Sequence, residues 1–248
     1  RYNQDLAEHI KEFYPEVVDY RILSKALDAR KANQGKGPTF QYTLDTIEKG
    51  ETFNIFEESF PHLGPIDKTP LIIGAGPAGL FCALRLIEYG VPSIIIERGA
   101  PAYERMKYIS RHWRYGEFDS ENNVCFGEGG AGLFSDGKLI TRIKSPYVSY
   151  VMNRFVFFGA PKEVEYLSNP HLGSNKIRNL ISELTSFLRS KGCQVFYKQK
   201  VEKLLYKEGS VGGVLLSNGK KYHSNNVVLA TGHSGSNIYE HLMESKVA

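Results

Sequence analysis

The sequence predicts an α/β fold built on a parallel sheet, with an inserted β-meander and a small α/β unit in front. Short apolar runs at 71–73, 93–97 and 227–230 read as strands buried on both faces, the pattern of a parallel sheet. Between them, 77–88 and 174–191 repeat apolar residues at helical spacing. A third observation is the pair of runs at 201–206 and 211–216, followed by Asn218-Gly219 and a return strand at 221–223, which reads as a hairpin meander.

The elements follow in chain order. Leu6, Ile10 and Phe13 give residues 1–14 an amphipathic helical face, stopped by Pro15. Residues 17–32 fit a helix through Tyr20, Leu23 and Leu27, or a strand through Tyr20 and Ile22. A turn is expected at 34–38, and Phe40, Tyr42 and Leu44 alternate as in a half-buried strand. The proline-rich run 61–70 reads as a linker and places a boundary near residue 66, giving domains at 1–66 and 67–248. In the second domain Pro77 suits a helix start and Gly90 follows its end. Residues 174–191 should be capped by Ser174 and stopped by Gly192, with a strand at 194–197.

Composition narrows the function classes. With 42% hydrophobic and 23% charged residues the 248-residue chain is an ordinary globular sequence. No run approaches the roughly 20 apolar residues of a membrane span, and a cytoplasmic protein without membrane partners is expected. Cys82, Cys125 and Cys193 are too far apart for a zinc motif or a redox pair, which fits a reducing compartment and no metal. Net charge is +4, split as −3 over residues 1–70 and +7 beyond. That surplus reads as a solvated face, and nucleic acid is not the expected partner despite the basic and aromatic run Arg111-His112-Trp113-Arg114-Tyr115.

Glycine is the anomaly, since 11 of 24 fall between Gly74 and Gly137. Gly74-Ala75-Gly76-Pro77-Ala78-Gly79 leaves a buried strand and opens a helix, and Glu97 ends the next strand 21 residues after Gly76. Gly74 makes the tight turn, Gly76 admits a pyrophosphate to the backbone, and Gly79 lets helix and strand pack. The helix N-terminus faces the phosphates, and a carboxylate at 97 accepts ribose hydroxyls while repelling a 2′-phosphate. The expectation is a Rossmann-like site for the adenosine diphosphate half of FAD or NAD. A second cluster, Phe126-Gly127-Glu128-Gly129-Gly130-Ala131-Gly132-Leu133-Phe134-Ser135-Asp136-Gly137-Lys138, offers a concave nest of amides, with Ser135 and Lys138 adding donors.

Glu97-Arg98-Gly99 with Arg105, the strands between Val201 and His223, and Leu229-Ala230-Thr231-Gly232 resemble the two-dinucleotide-binding flavoproteins of the glutathione-reductase type. FGEGGAGLFSDGKL at 126–139 is similar to the signature of a family described as uncharacterised FAD-dependent dehydrogenases, as are Gly159-Ala160-Pro161, Asn169-Pro170-His171-Leu172-Gly173 and Leu27-Asp28-Ala29-Arg30. The resemblance implies an FAD-dependent oxidoreductase acting by flavin hydride or electron transfer, with NAD a candidate electron donor and the small-molecule substrate unidentified. It implies that Arg98 or Arg105 balances phosphate charge, and that Gly129, Gly130, Ala131, Gly132, Ser135, Asp136 and Lys138 line the flavin side. Val201 would meet the adenine, and Ala230, Thr231 and Gly232 would lie beside the cofactor. Members of that family are about twice as long, so the FAD-binding domain is expected to lack its carboxyl-terminal part. A nucleotide-binding module without redox turnover is the alternative. No catalytic residue stands out, with His233 the histidine expected nearest the cofactor.

Overall fold

The computed structural model describes residues 4–30, 38–53, 66, 68–232 and 235–247. The turn expected at 34–37, most of the linker run at 61–67 and His233 lie outside the described residues. The chain divides into two compact units, Arg1–Ser59 with Lys138–His171, and Phe60–Gly137 with Leu172–Ala248.

In the first unit, α1 (Gln4–Phe13) buries Ile10 and leads into an antiparallel pair, β1 (Val17–Asp28) and β2 (Thr39–Glu48). Residues 17–28, compatible with either element on local pattern, are strand because they find a partner. Ile22 sits opposite Leu44 and Leu27 opposite Phe40 along a long ladder, and cross-strand pairs of this kind stabilise a sheet more than intrinsic propensity does. Lys25 continues the sheet on its other side, donating to Tyr166 O at 2.8 Å and accepting from Ser168 N at 3.1 Å. Helix α4 (Tyr147–Phe157), which no strong sequence signal announces, precedes that segment.

The second unit holds a four-stranded parallel sheet in the order β5-β4-β3-β9, formed by β3 (Leu71–Ile73), β4 (Ile94–Ile96), β5 (Gln194–Phe196) and β9 (Val227–Leu229). Helices α2 (Pro77–Glu88) and α3 (Ala102–Tyr115) both pack on α5 (Ser174–Ser190). Leu71, Ile72 and Ile95 are wholly buried, each contributing about 1.5–3 kcal/mol by leaving water. Three-residue strands thus gain from burial what they lack in length. The antiparallel meander β6 (Val201–Lys207), β7 (Ser210–Leu216) and β8 (Lys221–His223) shares a core with the sheet, where Val201, Leu204, Val214 and Leu216 meet Leu71, Ile73 and Ile96. Ile238 of α6 (Ser236–Glu244) completes that core.

Two local expectations change. Gly173 is the N-cap of α5 and no side chain caps it, so Ser174 is the first helical residue. The last strand is not buried on both faces, because Val228 is 36% and Leu229 37% exposed. Among the described residues β9 pairs with β3 alone, and an edge strand retains solvent on part of its surface.

Candidate functional site

The carboxyl ends of β3, β4 and β9 open on one cavity of about 520 Å³, within the range of small-molecule sites. Gly74, Gly76, Pro77 and Ala78 form one wall. Gly74 has φ +108°, and a Cβ there would lie 2.4 Å from the carbonyl oxygen of Ala230. At Gly79 a Cβ would lie 1.9 Å from the carbonyl oxygen of Gly74, so this glycine serves the contact of helix and turn and stands outside the cavity lining. Gly76 differs from both. It has φ −72°, and a Cβ would meet nothing within 4 Å. Its missing side chain leaves room on the cavity side. Gly76 is also the N-cap of α2, with no side-chain cap and no acid in the first turn. The helix therefore presents its positive end and first-turn amides without a capping side chain or an acid of its own.

Glu97 lines the same cavity but is only 5% exposed. One carboxylate oxygen accepts Ala75 N–H at 2.7 Å, and the other accepts Gly99 N–H at 2.8 Å and Gly127 N–H at 3.1 Å. A single side chain thus ties the 74–79 turn, the 97–99 turn and the second glycine cluster together. Three acceptor positions of about four are taken, leaving one for a ligand hydroxyl. Arg98 also lines the cavity, paired with Glu121 at 2.5 Å and stacked 3.9 Å from the Phe126 ring centroid.

Arg105 lies outside the lining and is 1% exposed. Its guanidinium donates to the carbonyls of Glu128 and Gly130 at 2.7 Å, Asn123 at 3.0 Å and Val124 at 3.1 Å. Burial pushes its pKa down to about 10, opposed by the Glu97 and Glu128 carboxylates. It holds the 123–130 loop by its carbonyls, and its fork of donors suits that task better than an ammonium. Arg105→Lys is expected to lower stability by about 2 kcal/mol in urea unfolding, because several carbonyls then lose their donor.

The second cluster is ordered around the cavity and not a projecting loop. Gly130, Ala131 and Gly132 line the cavity, whereas Gly129 is placed behind them by its N–H bond to Ala75 O at 2.8 Å. Ser135 turns its hydroxyl to Gly132 O at 2.8 Å, and neither it nor Asp136 is in the lining. Lys138 belongs to the first unit. Glu128 anchors the cluster from beneath, accepting Ala102 N–H at 2.7 Å and hydrogen bonds from Thr185 and Tyr197. Burial and the Glu128 carboxylate raise the Tyr197 pKa, keeping the phenol protonated as a donor.

Val201, Ala230, Thr231 and Gly232 all line the cavity, as do several residues the sequence reading passed over. Among these, Gln199 and Lys200 enter because Lys198 N and Gln199 N bond to Gly99 O and Glu97 O, which lays the 198–201 segment along the Glu97 turn. Asn237, Ile238 and Tyr239 come from α6, whose short polar sequence gave no motif. Cys125 also lines the cavity, and Cys82 and Cys193 are likewise free thiols. The described residues contain no group of His, Cys, Asp and Glu able to hold a metal ion, and no helix long and apolar enough to cross a membrane.

An uncharacterised protein of Clostridium beijerinckii is 35% identical over 239 residues, covering 92% of this chain and 45% of the relative. The chain therefore spans less than half the length of that curated relative. Among solved structures, THI4 of Thermovibrio ammonificans has 17% identity and a TM-score of 0.48, over 73% of this chain and 63% of its own. The GidA-related protein of Thermus thermophilus has 16% identity and a TM-score of 0.40, over 71% and 67%. The model of the pyridine nucleotide-disulphide oxidoreductases, which typically bind FAD and exchange electrons with NAD(H), matches residues 68–242. That match takes in the glycine turn, Glu97, the meander and the Ala230–Gly232 strand end together, and the chain belongs to this family.

Proposed function

We propose that this chain is the FAD-binding part of an FAD-dependent dehydrogenase, with NAD(H) as electron donor or acceptor and a small-molecule substrate. The observation that carries the reading is the cradle at Gly76, open where a Cβ would stand, beside an uncapped helix end and Glu97 in one cavity. The α2 end and the Ala78 amide would hold the pyrophosphate, and the remaining acceptor position of Glu97 would take a ribose hydroxyl. Val201 would border the base, and Ala230, Thr231 and Gly232 would run along the cofactor with Gly130, Ala131 and Gly132 opposite. Arg98 would supply positive charge near the phosphates. Gly129, Ser135 and Asp136 would support that wall from outside the lining, and Arg105 would act through the loop it holds.

The flavin itself supplies hydride chemistry when bound, so the protein's task is to seat and surround it. The three cysteines of this chain form no spaced pair, so the disulphide exchange in the family's name finds no counterpart among them. Because the chain spans under half of its curated relative, turnover on substrate is proposed for the longer protein. The test is the absorption spectrum of the purified chain, before and after adding FAD and removing the excess. Retained flavin in about equimolar amount, bleached on adding NADH, is the expected result. Flavin retained but not reducible by any donor would favour a binding module without turnover, and failure to retain either FAD or ADP would overturn the reading.

A further inference from the structure

The meander presents one peptide edge to the cavity. Strand β6 is at the edge of its sheet, where Val201 is opposite Leu216, and Ser217 N–H donates to Lys200 O at 2.9 Å. Val201 and Leu216 are therefore a non-hydrogen-bonded pair, and the N–H and C=O of Val201 both point away from β7. On that side Asn237 Nδ2 donates to Val201 O at 3.1 Å, and both residues line the cavity. The neighbouring Ile238 is 2% exposed in the core cluster that includes Val201, which fixes α6 against β6.

We propose that Asn237 sets this cavity's preference for a 6-aminopurine over a 6-oxopurine base. The inference rests on the assignment of the cavity to the adenosine half of a dinucleotide. An Asn carboxamide normally serves either kind of base, because it flips to offer its oxygen or its nitrogen. Here a flip would set Oδ1 against the Val201 carbonyl, two acceptors face to face, so the orientation is locked. Oδ1 and the second lone pair of the Val201 carbonyl then form a pair of acceptors beside the Val201 N–H. That pattern matches an exocyclic amino group with its two hydrogens next to an accepting ring nitrogen. A 6-oxopurine would bring an acceptor where two acceptors already stand.

Calorimetric titration of the chain with ADP and with IDP tests this. ADP is expected to bind about 10-fold more tightly than IDP, and Asn237→Ala to cut that ratio to about 3-fold or less with the circular dichroism unchanged. Asn237→Asp, of the same size but able only to accept, should weaken both ligands and still prefer ADP. An unchanged ratio in Asn237→Ala, loss of the preference in Asn237→Asp, no preference in the parent, or tighter ADP binding by Asn237→Ala would each overturn the role of Asn237. Failure of the parent to bind ADP at all would instead overturn the nucleotide assignment beneath it.

Discussion

Gly76→Ala is expected to leave the fold intact and abolish most nucleotide binding, whereas Gly79→Ala, three residues on, is expected to break the fold. At position 76 the backbone is already in a region open to any residue and the added methyl meets no protein atom within 4 Å. Loss of a good N-cap costs under about 1 kcal/mol, and the reduced freedom of the unfolded chain offsets part of it. The methyl does, however, fill the space through which a pyrophosphate reaches the α2 amides. Weakening of ADP and FAD binding by about 10- to 100-fold is expected, because the methyl holds the pyrophosphate away from the backbone amides. At position 79 the methyl carbon would lie 1.9 Å from the Gly74 carbonyl oxygen and 3.3 Å from the Ile72 side chain. Backbone must then move in the centre of the parallel sheet, at a cost of about 3 kcal/mol or more. Urea unfolding and ADP titration of both variants separate the two roles. Equal stability losses at 76 and 79, or unimpaired binding by a folded Gly76→Ala, would remove Gly76 from the site.

The contrast also shows what was legible in the sequence. The 74–79 motif, Glu97 and the strand at 227–229 could be read because each couples a local pattern to a fixed spacing along a βαβ unit. Residues 17–28 could not be resolved as strand from their own pattern, since what decides them is pairing with 39–48. The return of 138–171 to the unit containing β1 and β2 is equally silent, because its link is the backbone pairing of Lys25 with Tyr166 and Ser168 and not a side-chain signature. In the site, Arg105 could be read as a charge but not as a buried one. Nothing in its neighbours says that its donors go to the carbonyls of Asn123, Val124, Glu128 and Gly130. Asn237 escaped for a related reason. Its partner is the backbone of Val201, 36 residues earlier, and a backbone acceptor carries no residue identity.

Glu97 joins these themes, and its replacement should be the most costly side-chain change in the second unit. The motif reading treats Glu97 as a ribose ligand, yet in the structure its two oxygens already receive three backbone N–H groups from three separate segments. Glu97→Ala would leave Ala75, Gly99 and Gly127 without an acceptor in a buried place, at about 1–3 kcal/mol for each. A total loss near 4 kcal/mol is a large fraction of a typical domain's stability. Glu97→Gln retains one oxygen, enough for the Gly99 and Gly127 amides, but sets an NH₂ against the Ala75 N–H, and about half that loss is expected. If Glu97 were a ligand residue only, both variants would unfold at the parent's urea midpoint and differ from it in ADP affinity alone. If it is the tie between the three turns, stability and affinity fall together, in the order parent, Gln, Ala. Saturating ADP should then restore part of the stability of Glu97→Gln, because a nucleotide seated between the same turns holds them from the other side.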